Sequence, residues 1–435
     1  MNNKRLNDAF FSGLAQALRF IIGPVTLLLL PLYVTVEDQG IWYTFLGLAA
    51  LSTFADLGFT NIITMFSAHE ISKLSFDENK MLSGDEINIS RLASVFSFIL
   101  NWTFKIGTIA FCAMFVVGFV LFQSKLVGNS WQLPWIIFIF ASFIIYLANS
   151  FLVFVEGCNL VADVQKLRIS HGIVSAILFL IALLSGMSIL GLTIAMIISA
   201  TFLLTVCLLK FKPLFMQLIK SPKIDVQDIR TDFYNLFWKY AASFSSGYFI
   251  YQIYTPLVFA IFGPKLAGQV GFSLTLWIAV FTLSNVWMQS SYPQFNIYVA
   301  QKQWSLLDKR FRSSFILALI TLTSASFLFI LIRTYFEHLE IFKRMLPLTS
   351  QLLLILGWFL VLISSSLSLY VRSHKIEPFA LPTFVQAIIS IVITFYSIYN
   401  LDSKYIFLGF TLSFLILLPW YFKIYKTNKQ SHLMK

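Results

Sequence analysis

Five ionisable residues fall within apolar stretches long enough to cross a membrane: Arg19, Asp56, Lys105, Glu156 and Lys239. A charge in hydrocarbon costs at least about 2.5–3.5 kcal/mol, so each of them should face water or a partner. A cation held in this way can neutralise a phosphate group. A carboxylate at this depth can exchange a proton with the side of the membrane it faces. We therefore interpret these residues as candidates for anion binding and for ion coupling.

Asp56 lies near the middle of the second apolar stretch. Ser52 and Thr60 stand four residues before and after it, Ser67 returns to the same helical face, and Trp42 lies fourteen residues earlier on that side. A continuous helix would carry these residues as one polar stripe with an acid at its centre. The stripe predicts a coupling site, and a structural ion pair that only packs helices is the alternative.

Lys105 lies about twelve residues into its predicted span, which is about 18 Å at 1.5 Å per residue. A side chain at this depth reaches the membrane surface with difficulty, so we expect it to face a cavity. Asn101, Thr108 and Cys112 share its helical face. Asp56 is its candidate ion-pair partner.

The three other in-span charges lie nearer to predicted span ends. Arg19 and Lys239 are close enough to the inner end to extend their charged groups into the interface. A cavity position, with Arg19 as a second candidate partner of Asp56, is the alternative. Glu156 ends the fourth span, where an interfacial position competes with a coupling role.

The eighth span carries amide and aromatic residues on one side, with Asn285, Gln289 and Tyr292 at spacings of four and three residues. Hydrogen bonding between helices explains such a face, and so does a cavity wall that binds sugar hydroxyls. The seventh span adds Tyr248, Tyr251, Gln252 and Tyr254.

The composition places these residues in a membrane protein. Of 435 residues, 58% are hydrophobic and 11% are charged, whereas soluble domains carry about 25% charged residues. This excess of apolar surface excludes a soluble enzyme and a disordered chain. The sequence predicts an all-α polytopic membrane protein, because no segment alternates as a membrane strand does.

Twelve apolar segments are long enough to span a bilayer. Their approximate limits are 13–34, 41–67, 93–122, 134–158, 169–187, 190–209, 233–262, 269–296, 313–332, 347–371, 379–398 and 405–422. The fifth and sixth are separated only by the short break at 185–188.

The lysines and arginines test this count, because cytoplasmic loops collect them. With the N-terminus inside, 22 of the 31 fall in inside segments, six fall outside and three fall within spans. The net charge of +12 is therefore a topology signal and does not point to nucleic acid. It predicts twelve spans with both termini in the cytoplasm.

The basic segment 210–232 divides the spans into two sets of six. We predict an N-terminal lobe over 1–209, a cytoplasmic linker over 210–232, a C-terminal lobe over 233–422 and a basic tail over 423–435. Parallel repeats of this kind are known in transporters.

No motif for catalysis, cofactor or metal binding is present. The sequence Gly263-Pro264-Lys265-Leu266-Ala267-Gly268-Gln269 lacks the Lys-Ser/Thr of a P-loop. The three cysteines lie far apart and no His-Glu-x-x-His occurs. The longest outside loop, 333–346, is too short for a catalytic domain. The sequence favours a transporter without a cofactor.

The second span resembles that of O-antigen (Wzx-type) flippases in the multidrug/oligosaccharidyl-lipid/polysaccharide exporter superfamily. The matching residues are GIWY at 40–43, FADLGF at 54–59 and AHE at 68–70. The first span, with Pro24 and Pro31, is also similar. These motifs cover about the first 70 residues, and the remainder agrees in span count and short loops.

The resemblance implies two six-helix lobes around a central cavity in the bacterial inner membrane. It implies alternating access, with undecaprenyl-diphosphate-linked oligosaccharide as cargo and a gradient of H⁺ or Na⁺ as one option for the driving force. The family's cavity cations would correspond to Arg19, Lys105 and Lys239, and its second-span acid to Asp56. Polysaccharide polymerase machinery is an implied partner.

The sequence leaves two other classes of protein open. A drug/cation antiporter of the same superfamily would favour an acidic, aromatic cavity over a cationic one. A membrane-embedded polymerase or transferase would need an acid or histidine at a loop mouth, and His338 and His374 are too isolated to support it.

Overall fold

The chain is a multi-pass membrane protein built almost entirely of helices, because a backbone in hydrocarbon must satisfy its own hydrogen bonds. The computed structural model describes residues 2–433 except 57, 78–80, 127, 129, 225–244 and 375. Some side chains within helices, including that of Arg19, are also outside the description. The chain divides into two compact units, Met1–Ser245 and Ser246–Lys435.

The first unit contains nine described helices and a short hairpin. The helices are α1 (Asn2–Tyr33), α2 (Val36–Ala49), α3 (Thr53–Asp56), α4 (Phe59–Ile71), α5 (Glu86–Lys125), α6 (Gln132–Gly157), α7 (Val161–Leu184), α8 (Ser188–Lys210) and α9 (Lys212–Lys220). The hairpin pairs β1 (Ser75–Phe76) with β2 (Leu82–Ser83) in antiparallel register.

The described part of the second unit contains a helical stretch that ends at residue 251 and seven helices after it. They are α10 (Tyr254–Phe262), α11 (Pro264–Ala300), α12 (Trp304–Tyr335), α13 (Glu340–Lys343), α14 (Leu348–Arg372), α15 (Ala380–Asn400) and α16 (Leu408–Leu433).

Ten helical segments in the described residues are long and apolar enough to cross a membrane. They coincide with ten of the twelve predicted spans, all except the second and the seventh. The separate fifth and sixth spans are confirmed, because α7 ends at Leu184 and α8 begins at Ser188. Gly186 adopts a φ of 70° in this turn, a conformation that glycine reaches without strain.

The second span was predicted as one helix over 41–67, and that prediction is wrong. The segment consists of α2, a 3₁₀ turn at Ala50–Ser52, α3 and α4. Gly58 stands at the break with a φ of 81°. The seventh span falls partly on 225–244, outside the described residues. Its described part is helical over 245–251, turns at 252–253 and continues as α10.

The segment that follows α8 packs inside the first unit, to which it belongs. Leu214, Phe215 and Leu218 of α9 are buried in the apolar core of that unit. The Gln217 side chain donates to the Leu82 carbonyl at 2.8 Å and accepts from the Leu82 amide at 2.7 Å, so α9 also holds the hairpin. The lobe limits at 209 and 233 stay a prediction.

Each unit has its own aromatic core. In the first, Phe45 lies 4.9 Å from Trp135 and 5.0 Å from Phe122 between ring centroids.

In the core of the second unit, a tryptophan also takes part in a chain of hydrogen bonds. The buried Trp277 indole donates to Gln351 at 2.6 Å, and Gln351 donates to Ser273 at 2.7 Å. These buried polar contacts satisfy groups that hydrocarbon would leave unpaired.

Candidate functional site

Asp56 lies at the break in the second span, where it caps the next helix. Its Oδ1 accepts a hydrogen bond of 3.0 Å from the backbone amide of Thr60, in the first turn of α4. The Thr60 hydroxyl also donates to the same oxygen. A carboxylate at this place satisfies a helix N-terminal amide and lies at the positive end of the helix dipole.

The Asp56 cavity, our name for the space around this acid, has a volume of about 300 Å³. Ser52, Asp56 and Thr60 all line it, so the central part of the predicted stripe is confirmed. The opposite wall comes from α6 and α8. Its members are Ser142, Ile145, Tyr146, Asn149, Ser150 and Met196.

The ends of the predicted stripe are wrong, because the span does not continue as one helix through Gly58. Trp42 is buried against Phe138, at 5.9 Å between ring centroids. Ser67 is fully buried and faces Gly157, where an added Cβ would come within 2.7 Å of the serine Cβ.

The α6 wall is part of the site that our sequence reasoning missed. Ser142, Tyr146 and Asn149 lie at spacings of four and three residues in a largely apolar helix. Polar residues three or four apart share a helical face, as they do in the stripe around Asp56, so the signal was present. The acid therefore shares its cavity with a phenol, an amide and hydroxyls.

Lys105 lies at the middle of α5, about 30 Å from either end of this 40-residue helix. It is exposed, as are Asn101, Thr108 and Cys112 on the same face. The predicted polar face is thus present on the first unit.

The expected ion pair between Lys105 and Asp56 is wrong. Among the described residues Lys105 makes no ion pair, and it does not line the Asp56 cavity. Gly107 of α5 faces α6, where an added Cβ would come within 2.8 Å of the Tyr146 ring. Two residues correspond to about 200° around a helix, so Lys105 points away from α6.

Glu156 joins two helices at the end of α6. Its Oε2 lies 2.9 Å from Arg168 Nη2, and its Oε1 accepts a 3.1 Å hydrogen bond from Gln165 Nε2. Both partners belong to α7. Glu156 does not line the Asp56 cavity, and its position at the membrane interface stays a prediction.

The amide face predicted on the eighth span lies on α11, in the second unit. Asn285 is partly buried, and its Oδ1 has no hydrogen-bond partner among the described residues. Gln289 is exposed one turn further on. Tyr292 is half-buried and packs against the apolar core of the unit. The face therefore offers two amides and contributes its tyrosine mainly to packing.

The seventh-span tyrosines pack in the core of the second unit. The buried Tyr254 hydroxyl lies 2.9 Å from the Ser390 hydroxyl. The Tyr251 ring stacks on Trp358 at 5.9 Å between centroids. These two tyrosines therefore contribute to packing between the helices of the second unit.

Two predicted site residues lie wholly or partly outside the description. Arg19 belongs to α1, and its side chain lies outside the description. Lys239 falls within 225–244 and lies outside the described residues. In the part of the chain that is described, no group of three or more His, Cys, Asp or Glu residues could hold a metal ion.

No protein-family model and no curated protein matches the chain. Solved structures do. The chain is similar to an inward-closed form of the lipid II flippase MurJ, with a TM-score of 0.65, 13% identity, and 98% of this chain and 91% of that chain covered. It is also similar to an inward-facing MATE-family multidrug transporter, with a TM-score of 0.61, 12% identity, and 93% and 99% of the two chains covered.

A third similar structure is a ligand complex of the MATE multidrug transporter DinF-BH. The TM-score is 0.54, the identity is 16%, and the alignment covers 94% of this chain and 95% of that chain. The chain thus has the fold shared by these MATE transporters and by MurJ. The fold is common to multidrug transporters and to a lipid flippase.

Proposed function

We propose that this chain is a flippase of the bacterial inner membrane. Its substrate is an undecaprenyl-diphosphate-linked oligosaccharide, the unit of O antigen or of a related surface polysaccharide. Transport occurs by alternating access, with both termini in the cytoplasm, and polysaccharide polymerase machinery uses the product.

The observation that carries this proposal is the exposed polar face around Lys105. A lysine halfway along a 40-residue helix, with no ion pair among the described residues, would be costly against lipid tails. A water-filled substrate path removes that cost. A diphosphate supplies the counter-charge that the lysine lacks, and Arg19 and Lys239 are proposed to add to it.

The α11 amides are proposed to bind the sugars. Asn285 has an acceptor without a hydrogen-bond partner among the described residues, and Gln289 is exposed one turn away. Amide groups both donate and accept, which suits hydroxyl-rich ligands. Tyr292 would support this face through its packing.

The Asp56 cavity is proposed as the coupling site for H⁺ or Na⁺. Protonation of the carboxylate would weaken its hydrogen bond with the Thr60 amide, which lies across the break in the span. A change of charge at Asp56 would thereby change the stability of the break itself. Such a link between protonation and helix geometry is what an ion-coupled transporter requires. Glu156, already paired with Arg168, is the second candidate for this role.

A drug/cation antiporter is the second candidate function. The Asp56 cavity favours it, because an acid beside Tyr146 and Asn149 is suited to binding an organic cation. The exposed Lys105 face argues in the other direction, since a cation repels cationic cargo.

One experiment separates the two functions. Purified protein in proteoliposomes is given either a fluorescent undecaprenyl-diphosphate-linked oligosaccharide or a lipophilic cationic dye. We expect movement of the lipid-linked sugar, and a loss of at least about tenfold in its rate for Lys105→Ala, which corresponds to one counter-charge in the bound state. Lys125→Ala, at the end of the same helix, is the matched control and should keep the wild-type rate. Dye transport without movement of the lipid would establish the antiporter.

A further inference from the structure

A second charged feature lies far along the chain from these sites, in the second unit. A groove of about 810 Å³ separates the first turns of α12 from the last turns of α16. Its lining combines charged and apolar side chains. They include Asp308, Lys309, Arg312 and Lys429, together with the apolar Ile316 and Leu317.

Two cations of the groove have no neutralising carboxylate among the described residues. Asp308 accepts a hydrogen bond of 2.9 Å from the buried Tyr370 hydroxyl and lies 2.6 Å from Lys429 Nζ, so these two charges compensate each other. Lys309 and Arg312 stand three residues apart on one face of α12. Neither has an ion-pair partner among the described residues.

The two free cations lie where α12 enters the membrane. The twenty residues between Arg312 and Arg333 contain no charge, which is the length that crosses the hydrocarbon. On α16 the uncharged stretch ends at Phe422, and Lys423 opens the basic tail. Both walls of the groove therefore change from apolar to basic at about the same depth.

The membrane side of the groove is apolar. Ile316 and Leu317 are 43% and 40% exposed. The Phe311 and Phe315 rings stack at 6.0 Å between centroids. About 10 Å along the helix axis separates Lys309 from Ile316, so a headgroup and the start of an acyl chain fit the distance between them.

We infer that this groove binds an anionic phospholipid of the surrounding leaflet, with its phosphate on Lys309 and Arg312 and an acyl chain along Ile316 and Leu317. The two cations complement an anionic headgroup. The change from a basic to an apolar lining matches a phospholipid, which joins a charged head to apolar chains. Arginine binds phosphate with two parallel hydrogen bonds, and basic pockets between membrane helices bind anionic headgroups.

Native mass spectrometry of the full chain in detergent tests the inference, with phosphatidylglycerol and phosphatidylcholine as probes. We expect the wild type to retain phosphatidylglycerol preferentially. The double variant Lys309→Gln/Arg312→Gln should lose most of that preference, at about fivefold in affinity for each cation. Thermal melting with each lipid checks that the variant is folded.

The matched control is Arg310→Gln/Lys426→Gln, which removes one charge from each helix without touching the groove lining. It should keep the preference. An equal loss in the control would overturn the inference in favour of general surface charge. If inorganic phosphate raises the melting temperature of the wild type as much as phosphatidylglycerol does, the two cations bind a soluble anion and not a lipid. An unchanged preference in Lys309→Gln/Arg312→Gln would place the lipid elsewhere.

Discussion

The carboxylate of Asp56 accepts hydrogen bonds from both the backbone amide and the hydroxyl of Thr60, across the break in the second span. One acid thus serves as a helix cap and as the only carboxylate among the described residues that line the Asp56 cavity. Any change in its charge acts directly on the start of α4.

This relationship leads to the first prediction. Asp56→Asn should insert and fold, because the amide oxygen can still accept from Thr60, but transport driven by a pH difference should be lost. Asp56→Glu should retain part of the transport that a pH difference drives. The measurement is flipping of lipid-linked oligosaccharide in proteoliposomes with and without an imposed pH difference.

Thr60→Val tests the contribution of the Thr60 hydroxyl to stability separately from the role of Asp56 in coupling. It removes the hydroxyl bond and should lower stability by about 1 kcal/mol while the pH response remains. If Asp56→Asn keeps the wild-type pH response, the acid is only a cap, and coupling must be sought at Glu156.

The second prediction concerns the cations. Arg19→Ala and Lys105→Ala should each greatly reduce surface polysaccharide at normal protein level, because the diphosphate would lose its counter-charge. Arg19→Lys should retain only part of the surface polysaccharide, since lysine lacks the planar guanidinium group that binds phosphate through two hydrogen bonds. Immunoblots of polysaccharide and of the membrane protein, side by side, give the measurement. Full activity of Lys105→Ala would remove that residue from the binding site.

The third prediction uses a native cysteine as a reporter. Cys112 is exposed two turns beyond Lys105, whereas Cys158 and Cys207 are buried. A water-soluble maleimide should label the wild type once, at Cys112, because the thiolate forms only where water reaches it. Cys112→Ala should abolish labelling. An unlabelled wild type would mean that the Lys105 face meets lipid.

The fourth prediction tests the packing of the first unit. An added Cβ at Gly118 would overlap Cζ2 of the buried Trp135 ring. Gly118→Ala should destabilise the protein by about 1–3 kcal/mol through overpacking. Gly172→Ala, where nothing lies within 4 Å, is the control and should be neutral or slightly stabilising. Thermal melting in detergent compares the two.

The fifth prediction is the topology. Three hydrogen bonds in the first unit join residues that an alternating topology places on the same side of the membrane. Ser188 donates to Asp38, a pair that the prediction places outside. Ala162 donates to Asp8 and Gln217 to Leu82, two pairs that it places inside. Reporter fusions after Gln217 and Lys429 should report the cytoplasm, and one after Gly128 the outside. A Gln217 fusion that reports the outside would contradict the two-lobe topology.

Hydropathy was sufficient to predict ten spans because hydrocarbon imposes a local rule: every segment that crosses it must satisfy its own backbone hydrogen bonds. The spacing of polar residues also placed Ser52, Asp56 and Thr60 together, since residues four apart share a helical face. The same spacing would have identified Ser142, Tyr146 and Asn149 on α6.

By itself, the sequence determined the class of fold, the long helices and which faces are polar, because composition and periodicity are local properties. Only the tertiary structure decided which faces meet. It paired Glu156 with Arg168 and Asp308 with Lys429, turned Lys105 away from Asp56, and broke the second span at Gly58. Ion pairs and helix breaks depend on which neighbour supplies the opposite charge or the compensating hydrogen bond, and helix packing selects that neighbour.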